Sequence, residues 1–363
     1  MSQRTVHFLA PGSLTEATGG YHYDRRLLEG LRVLGWRVAV RSLGYGFPFP
    51  GRETLAEAAG ILASIATDEL VIIDGLALGA MPEVLASHGL RLRLIALIHH
   101  PLALETGLAP HVAAQLQESE QNALRWVRHV IVTSEFTRAA LERYAVDPAR
   151  VSVIEPGTDA ASLAKGSQAF AGRVRAAVEP GALQLLCVAT ITPRKGHAVL
   201  IEALAGLRHL PWQLVCVGST QRSPQTAQAL RHQIQSVALG ERVRILGELD
   251  GLALEECFAA ADLFVLPTHY EGYGMAVAEA LAHGLPVVAT RTGAIPDLVL
   301  PEAGRIVEPG DPNSLRTALS EVLTDSDAYA ALVEGARAAR NRLPRWPEAC
   351  LQAAKTLDAV NAR

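Results

Sequence analysis

Two glutamates and a group of glycines form the densest concentration of chemically useful residues in the chain. They lie in THYEGYGMAVAEALAHGLPVVATRTGAIPDLV (268–299), where Glu271 precedes two glycines and Glu279 follows eight positions later. The preceding run LFVLPT has the composition of a buried strand, and a helix is expected to begin near Met275. Small residues allow a close approach of the backbone to a ligand, and the start of a helix offers free N–H groups to an anion.

Two carboxylates beside an anion site are unexpected if phosphate is the whole ligand. They fit a ligand that carries hydroxyl groups on both sides of its phosphates, such as a sugar–diphosphate–ribose molecule, because carboxylates accept hydrogen bonds from hydroxyls. Either glutamate alone is better interpreted as a solvated residue in a strand–turn–helix. Their combination with the glycines in one segment favours a ligand site.

A basic turn in VATITPRKGHAVLIEAL (188–204) is the second candidate site. A strand, then Pro-Arg-Lys-Gly, then an amphipathic helix puts Arg194 and Lys195 at a strand's carboxyl end beside a helix N-terminus. Two cations and the positive end of a helix dipole can stabilise a developing diphosphate without a metal ion. Standing alone, this dipeptide would be interpreted as an ordinary solvated turn.

The N-terminal half offers a glycine pair and a histidine pair. Gly19 and Gly20 are expected in a loop between the first strand and the first helix, where glycines admit a positive φ and the close approach of a substrate. His99 and His100 follow the strand RLIALI at its carboxyl end. Adjacent residues at a strand end point in opposite directions and no third ligand is near in the sequence, so no metal site is expected. The Asp-x-Asp triplet at 325–327 follows no strand and is interpreted as a helix cap.

Two series of alternating strands and helices must position these residues. Continuous apolar runs separated by stretches of helical period, such as 21–35, predict parallel sheets that are covered on both faces. The first series has strands expected at 6–10, 36–43, 70–73, 93–99, 130–134 and 151–156, and the second at 183–191, 212–219, 243–249, 263–268 and 285–290.

The sequence therefore predicts an α/β protein with two doubly wound domains. A linker is expected at 158–174 and a helical tail at 312–363. Doubly wound domains bind ligands at the carboxyl ends of their strands, and two of them can face each other across a cleft that suits two substrates. Loops at 44–56 and 101–112 are the expected binding segments of the first domain.

Composition limits the remaining classes of protein. A length of 363 residues favours two domains, and a chain that is 49% hydrophobic and 19% charged excludes disorder, collagen and coiled coil as the main state. A net charge of −4 gives no sign of a nucleic-acid partner. Four widely spaced cysteines without a C-x-x-C argue against a disulfide scaffold and favour a reducing compartment.

Because no apolar run reaches the roughly 20 residues of a membrane span and no signal peptide is seen, a cytoplasmic protein is expected, and peripheral membrane contact stays open.

The segment EGYGMAVAEALAHGLPVVAT resembles the E-x7-E region of the retaining glycosyltransferases of family 4. Glu, glycines, Glu-Ala, Gly-x-Pro-Val-Val-Ala and a following Gly-Ala-Ile-Pro all occur in the family's order. The resemblance implies the GT-B fold, with two Rossmann-like doubly wound domains that face a central cleft. It implies an acceptor domain at 1–165, joined by a last helix at 344–363 in which Trp346 is a packing anchor, and a nucleotide-sugar donor domain at 166–343.

The same resemblance assigns roles to individual residues. Glu271 should contact hydroxyls of the donor sugar, Glu279 should hold the ribose diol, and His99 should reach toward the donor sugar. Many members carry an Arg five residues before the Lys, where this chain has Thr190, so Arg194 is expected to supply the second cation. The implied catalytic residues are Arg194, Lys195, Glu271 and His99, and the implied donor-binding residues are Gly19, Gly20, Gly218, Leu246, Gly272, Tyr273, Gly274, Met275, Ala276 and Glu279.

The function implied is transfer of a sugar from a nucleoside diphosphate sugar to an acceptor hydroxyl, with retained anomeric configuration and with no metal or cofactor. The acceptor is a small molecule, a glycan or a lipid-linked molecule. Two alternatives remain: a nucleotide-sugar epimerase or phosphorylase on the same two-domain frame, and a non-catalytic nucleotide-sugar-binding protein. A dehydrogenase is disfavoured because the sequence contains no G-x-G-x-x-G fingerprint.

Overall fold

The protein divides into two compact units in a computed structural model that describes residues 4–16, 18–167 and 182–362. One unit comprises Met1–Gly157 together with Pro344–Arg363, and the other comprises Thr158–Leu343. The units divide after residues 157 and 343, where the sequence analysis expects boundaries at 165 and 343, and the assignment of an acceptor and a donor domain stays a prediction.

The N-terminal unit is built on a parallel sheet with helices in the connections. Its six strands within the described residues are β1 (Thr5–Ala10), β2 (Arg37–Ser42), β3 (Leu70–Asp74), β4 (Arg93–Ile98), β5 (His129–Val132) and β6 (Val151–Val153). The strand order is β2-β1-β3-β4-β5-β6, and every neighbouring pair is parallel. The connecting helices are α1 (Gly19–Val33), α2 (Arg52–Ala63), α3 (Gly75–Leu78), α4 (Pro82–His88), α5 (Pro110–Leu124) and α6 (Glu135–Ala140).

The C-terminal unit repeats this architecture. Its six strands within the described residues are β7 (Leu183–Val188), β8 (Trp212–Val217), β9 (Val243–Gly247), β10 (Leu263–Leu266), β11 (Val287–Thr290) and β12 (Gly304–Val307), in the order β12-β11-β10-β7-β8-β9. The neighbouring pairs are again all parallel. Its helices are α7 (His197–Ala205), α8 (Pro224–Ser236), α9 (Gly251–Ala260), α10 (Met275–Ala282), α11 (Ile295–Leu298), α12 (Pro312–Thr324) and α13 (Ser326–Ala339), and α14 (Trp346–Asn361) returns to the N-terminal unit.

The apolar strands lie where the sequence predicts them. Every residue of β3, β5, β10 and β11 is buried, as expected for strands that are covered on both faces. The end of α1 also follows its predicted signal, because Gly35 has a φ of 85° and the Trp36 amide donates to the Leu31 carbonyl. Asp325 caps α13 by accepting from the amides of Asp327 and Ala328, so this triplet is the predicted helix cap.

Several local expectations were wrong. Gly19 and Gly20 are not in a loop but form the first turn of α1, capped by the Thr18 hydroxyl, and neither has a positive φ. The expected loop at 44–56 ends where α2 begins at Arg52, and the four-residue strand β12 was not anticipated. The first two errors concern the starts of α1 and α2, and element boundaries are the least reliable part of a prediction from sequence, whereas β12 is a short strand that was missed.

The segment predicted as a linker belongs in part to the C-terminal unit. Within 158–167, the Ala164 amide donates to the His283 carbonyl at 2.8 Å and the Lys165 amide donates to the Ala259 carbonyl at 2.8 Å. The Ser167 amide donates to Asp262 Oδ1 at 3.0 Å. These hydrogen bonds attach the segment to the C-terminal unit, although residues 158–167 form no α-helix and pair with no strand. The rest of the predicted linker, 168–174, lies outside the described residues.

Helix α14 completes the N-terminal unit by packing against α1. Trp346 at its start is 5% exposed, with its ring 5.9 Å from that of Tyr23 and the Arg26 guanidinium 5.2 Å from its ring centroid. Gly157 permits this packing, because a Cβ added there would lie 2.2 Å from the Trp346 amide nitrogen. Trp346 is thus the packing residue that the resemblance implies. No helix among the described residues has the length and apolar character that crossing a bilayer requires.

Substitution Gly157→Ala should destabilise the protein by about 1–3 kcal/mol, because the new methyl group meets backbone that cannot rotate away. The measurement is the free energy of unfolding of the full chain in denaturant. Gly60→Ala is the matched control in the same unit, since nothing lies within 4 Å of a Cβ built there in the last turn of α2. That control should stabilise by roughly 0.5–1 kcal/mol. Equal stability of Gly157→Ala and the wild type would show that α14 does not pack this closely.

Candidate functional site

The basic turn of the C-terminal unit lies directly against the segment that follows β10. Pro193–Lys195 forms a short 3-10 turn before α7, and Gly196 at its end has a φ of 69°. A Cβ added to Gly196 would lie 1.9 Å from the carbonyl oxygen of Pro267. Only glycine fits this position, since it must adopt a left-handed conformation and leave no side chain in the contact. The turn is therefore fixed at the carboxyl end of the strand.

Arg194 connects the two segments through both its backbone and its side chain. Its carbonyl oxygen accepts from the His269 amide at 2.7 Å, and its Nη1 donates to the Tyr270 carbonyl at 2.9 Å. The Thr268 hydroxyl lies 3.0 Å from the Arg194 carbonyl and 2.9 Å from that of Tyr270. Residues 268–270 are thus held from several directions just before Glu271. Arg194 has a structural task here in addition to carrying a charge.

Lys195 and Glu271 form the ion pair at the centre of this site. The Lys195 ammonium donates to Glu271 Oε2, and Arg194 Nη1 lies 3.9 Å from the same oxygen. The three side chains are 15–20% exposed, so they are neither fully solvated nor sealed from a ligand. The structure therefore brings together the three predicted catalytic residues of the C-terminal half. Their charges partly compensate each other.

Behind Glu271, glycines and a helix start form an anion-accessible backbone. Gly293 lies close to the backbone of Glu271, since a Cβ added to Gly293 would be 1.9 Å from the Glu271 carbonyl oxygen. Gly272 and Tyr273 are buried, and Gly274, with a φ of 105°, precedes α10 without any side-chain cap. Met275 and Ala276 are the first two residues of this helix and are partly exposed. The predicted donor-binding run therefore includes the N–H groups of a helix N-terminus, where an anion is stabilised.

Glu279 lies one turn further along α10 and is partly buried. Burial raises its pKa to about 7, with further contributions from the negative charges of Glu255 and Asp159. Asp159 comes from the 158–167 segment, so the ordering of that segment brings a second carboxylate near Glu279. Near neutral pH, Glu279 is consequently divided between a form that only accepts hydrogen bonds and a form that also donates one.

Gly218 and Leu246 lie side by side at the ends of adjacent strands. The Gly218 amide donates to the Gly247 carbonyl at 2.8 Å, and Leu246 is the penultimate residue of β9 and not a loop residue. A Cβ on Gly218 would be 2.0 Å from the Ala189 carbonyl oxygen, and its φ is 149°. Close packing of the loops after β7 and β8 is thus one sufficient reason for the glycine.

His99 belongs to a separate cluster in the N-terminal unit. Its Nε2 lies 3.0 Å from Asp24 Oδ1 and 3.7 Å from Asp74 Oδ2. Burial lowers the pKa of His99, but the two carboxylates outweigh burial and raise it overall. Burial and the charge of Asp24 raise the pKa of Asp74 to about 7. Gly20 lies beside the histidine, since a Cβ there would be 3.2 Å from His99 Cδ2, whereas Gly19 borders open space.

The histidine pair separates as expected for adjacent residues at a strand end. His100 Nε2 lies 3.4 Å from Glu105 Oε2 and takes no part in the His99 cluster. Asp24, Asp74 and His99 each offer a ligand atom within 4.8 Å of the others, a spacing that a metal ion can bridge. The 3.0 Å contact between Nε2 and Oδ1 is a hydrogen bond, so we treat the three residues as a hydrogen-bonded ion network. The expectation that the protein uses no metal stays a prediction.

Asp24 and Asp74 are the site residues that the sequence did not reveal. Asp74 ends β3, and a carboxylate at the carboxyl end of an apolar strand is a signal that could have been used. Asp24 gives no such signal, because its partner is 75 positions away. Glu120 of α5 is a further buried carboxylate, and it accepts from the Leu102 amide at 3.1 Å. Burial raises its pKa to about 7.

Two family profiles match this chain. The profile described as "Glycosyl transferases group 1" matches residues 173–339, and the profile described as "Glycosyltransferase Family 4" matches residues 70–162. Together they cover more than half of the sequence. The chain belongs to the family 4 glycosyltransferases. The family that the E-x7-E segment resembles is therefore confirmed, and the two profiles match parts of different strand–helix series.

Among curated relatives, the D-inositol 3-phosphate glycosyltransferase of Kineococcus radiotolerans is 32% identical over 254 residues. The match includes 66% of this chain and 58% of that protein. The chain spans less than three fifths of the length of this and similar D-inositol 3-phosphate glycosyltransferases.

Solved structures share the fold over the whole chain. Sucrose-phosphate synthase from Thermosynechococcus elongatus has a TM-score of 0.83 at 22% identity and covers 99% of both chains. The Anabaena protein HepE, solved with UDP and glucose, has a TM-score of 0.77 at 19% identity and covers 97% of this chain and 99% of its own. With two Rossmann-like parallel sheets of its own, this family 4 member has the predicted GT-B fold.

The raised pKa of Glu279 makes a prediction about stability. Its carboxyl has an ordinary pKa of 4.5 and a folded pKa of about 7, so between these values the folded state holds a proton that the unfolded state releases. The contribution of Glu279 to stability therefore falls as pH rises through this window. Glu279→Gln should match the wild type below pH 4.5 and exceed its unfolding free energy at pH 8 by roughly 1–3 kcal/mol.

Denaturant unfolding of both proteins at pH 4 and pH 8 measures this difference. Glu202→Gln on the exposed side of α7 is the control and should give no pH-dependent gain. If Glu279→Gln is no more stable than the wild type at pH 8, the carboxylate is solvated and the burial argument is wrong.

Proposed function

We propose that the protein is a retaining glycosyltransferase that moves a sugar from a nucleoside diphosphate sugar to an acceptor hydroxyl. The observation that carries this proposal is the contact between Lys195, Arg194 and Glu271, four residues before the uncapped start of α10. It combines cations for a diphosphate with a carboxylate for sugar hydroxyls. Membership of family 4 supports the reaction class, and the UDP and glucose bound by HepE support a nucleotide-sugar donor.

The donor's diphosphate would be bound by the cations and by the helix start. Lys195 neutralises Glu271 in the structure, and a diphosphate would attract the ammonium because it carries more negative charge. The N–H groups of Met275 and Ala276 add donors that need no rearrangement. Charge that develops on the leaving diphosphate would thus meet fixed positive groups, which lowers the barrier to C–O cleavage without a metal ion.

The two glutamates would hold the two ends of the donor. Glu271 lies beside the cations and would accept from hydroxyls of the sugar. Glu279, one turn into α10, would hold the ribose diol. Its pKa of about 7 suits this contact, because either protonation state can accept a hydroxyl hydrogen bond. Gly218 and Leu246 would border the nucleobase.

We further propose that the leaving phosphate itself removes the acceptor proton. In the donor complex Glu271 would accept hydrogen bonds from hydroxyls of the sugar, which makes it a poor nucleophile toward the anomeric carbon. In the proposed step, the bond from the anomeric carbon to the phosphate oxygen breaks and the bond to the acceptor oxygen forms on the same face. The acceptor proton passes to a phosphate oxygen. The transition state is oxocarbenium-like, as in other glycosyl transfers.

The N-terminal unit would bind the acceptor, and its residues His99, Gly19 and Gly20 stay candidates for contacts with the donor. A small molecule, a glycan and a lipid-linked molecule all remain candidates, and a cytoplasmic location with peripheral membrane contact suits the last of these. Thermal-shift screening of UDP-, GDP- and ADP-sugars, followed by mass spectrometry of an acceptor panel, tests the proposal. The anomeric coupling of the product, measured by NMR, tests retention.

Labelled donor distinguishes the alternatives. A transferase gives labelled acceptor and depends on the acceptor for turnover. An epimerase converts the donor without an acceptor, and a phosphorylase requires inorganic phosphate. A non-catalytic nucleotide-sugar-binding protein binds the donor and gives no product with any acceptor.

Lys195→Ala should lower kcat for transfer by at least 100-fold, because it removes a charge-assisted contact to the leaving group that strengthens in the transition state. Steady-state kinetics with the best donor and acceptor measure the loss. Lys355→Ala on the exposed side of α14 is the matched control and should leave kcat unchanged. Near-normal transfer by Lys195→Ala would remove the proposed role.

Glu279→Ala should weaken binding of the nucleoside diphosphate about tenfold or more, since one charge-assisted hydrogen bond contributes roughly 1.5–3 kcal/mol. Isothermal titration calorimetry with the diphosphate gives the two dissociation constants. Glu202→Ala serves as the control. Unchanged affinity in Glu279→Ala would show that the ribose lies elsewhere.

A further inference from the structure

One face of helix α1 is directed at the His99 ring. Gly20, Tyr23 and Asp24 are spaced i, i+3 and i+4, which puts them on the same side of the helix. Gly20 lies against the ring, the ring of Tyr23 meets it edge-on with centroids 5.4 Å apart, and Asp24 Oδ1 lies 3.0 Å from its Nε2. The first turns of α1 therefore contact the imidazole by packing and by a hydrogen bond.

Asp24 occupies a position that the helix pattern reserves for an apolar side chain. The buried stripe of α1 continues from it to Leu27, Leu28 and Leu31, at the spacing of a core-facing helix side. Asp24 is 0% exposed. Burying a carboxylate is costly unless it is paired, and an apolar residue of similar size would avoid the cost. Retaining the charge at this position therefore points to a task that an apolar residue could not perform.

The task of Asp24 is its hydrogen bond to His99. Among the described residues, Asp24 Oδ2 has no hydrogen-bond partner. The side-chain hydrogen bond of this carboxylate is therefore the one between its Oδ1 and Nε2 of His99. Asp74 is different, because its Oδ1 also accepts from the Leu76 amide at 2.8 Å and caps α3. When Asp24 is ionised its carboxylate only accepts, so Nε2 is then the nitrogen that donates a proton to this hydrogen bond.

We infer that Asp24 is a positioning residue that fixes the orientation of His99 and holds it as an imidazolium. A cationic imidazole donates from both nitrogens and has no lone pair to accept a proton. His99 would thus offer a substrate a hydrogen-bond donor and would not act as a general base. This inference rests on the proposed function for its meaning in catalysis, but the state of the imidazole is testable without it.

The charged groups around the ring favour the cation. Asp24 of α1 and Asp74 of β3 both face His99, and their attraction outweighs the effect of burial, so the pKa of the histidine is raised. Burial raises the pKa of Asp24, whereas the charge of His99, the hydrogen bond to His99 and the charge of Arg25 each act to lower it. An ionised Asp24 is the stronger partner for an imidazolium.

Nitrogen-15 NMR of the histidine side chains tests the state of His99 directly. His99→Gln identifies its resonance among the 12 histidines. In the wild type, both ring nitrogens should stay protonated at pH values above 6.5, the ordinary pKa of histidine. In Asp24→Asn, which preserves shape, the titration should move to lower pH because burial then acts against a weaker attraction. Glu105→Gln, which alters the partner of His100, is the control and should leave the His99 titration unchanged.

Kinetics provide the second readout. If transfer depends on protonated His99, the Asp24→Asn variant should lose kcat at pH 8 and recover part of it at pH 6, whereas a merely structural defect would not be relieved by acid.

A wild-type His99 that titrates at or below pH 6.5 overturns the inference without any variant. Stoichiometric binding of Zn²⁺ or Mn²⁺ that shifts the His99 resonance and is lost in Asp24→Asn would also overturn it, in favour of a metal site. Absence of transfer with every acceptor would refute the proposed function and leave the NMR result standing.

Discussion

The C-terminal unit depends on the close approach of the Pro193–Lys195 turn to the segment after β10. Gly196 makes the approach sterically possible, and Arg194 secures it through its carbonyl and its guanidinium. The ion pair between Lys195 and Glu271 is a consequence of this contact, because the two residues are 76 positions apart and share no element. Without the contact, each would be an ordinary surface charge at the end of its own strand.

Adjacent parallel strands explain why this contact could be anticipated. β7 and β10 are neighbours in the sheet, so the turn after one and the segment after the other must emerge at the same edge. The apolar runs located both strands in the sequence, and the Pro-Arg-Lys-Gly and E-x7-E patterns located the side chains. The patterns could not show that Lys195 and Glu271 form an ion pair. The salt bridge and the double role of Arg194 arise from distances between loops, and periodicity within a segment carries no information about them.

The N-terminal unit shows the opposite case. His99 was identifiable from its place at the end of β4, but the two carboxylates that define its chemistry were not. Asp24 lies in line with the apolar stripe of α1, but the pattern of the helix does not indicate that its partner is a histidine 75 positions away. Gly20 was noticed for a conformational freedom that it does not use, since its φ is not positive. Its role is to leave room for a ring, which requires knowing what lies opposite.

The two clusters also differ in how their charges can respond to a ligand. In the C-terminal unit, two cations share one carboxylate at partly exposed positions, so an incoming anion can replace Glu271 as the partner of Lys195 with little loss of solvation. In the N-terminal unit, two carboxylates share one imidazole and Asp24 is fully buried, so exchange would leave a carboxylate unpaired at low dielectric. The first arrangement is suited to binding and releasing an anion. The second is suited to holding one side chain in a single orientation and charge state.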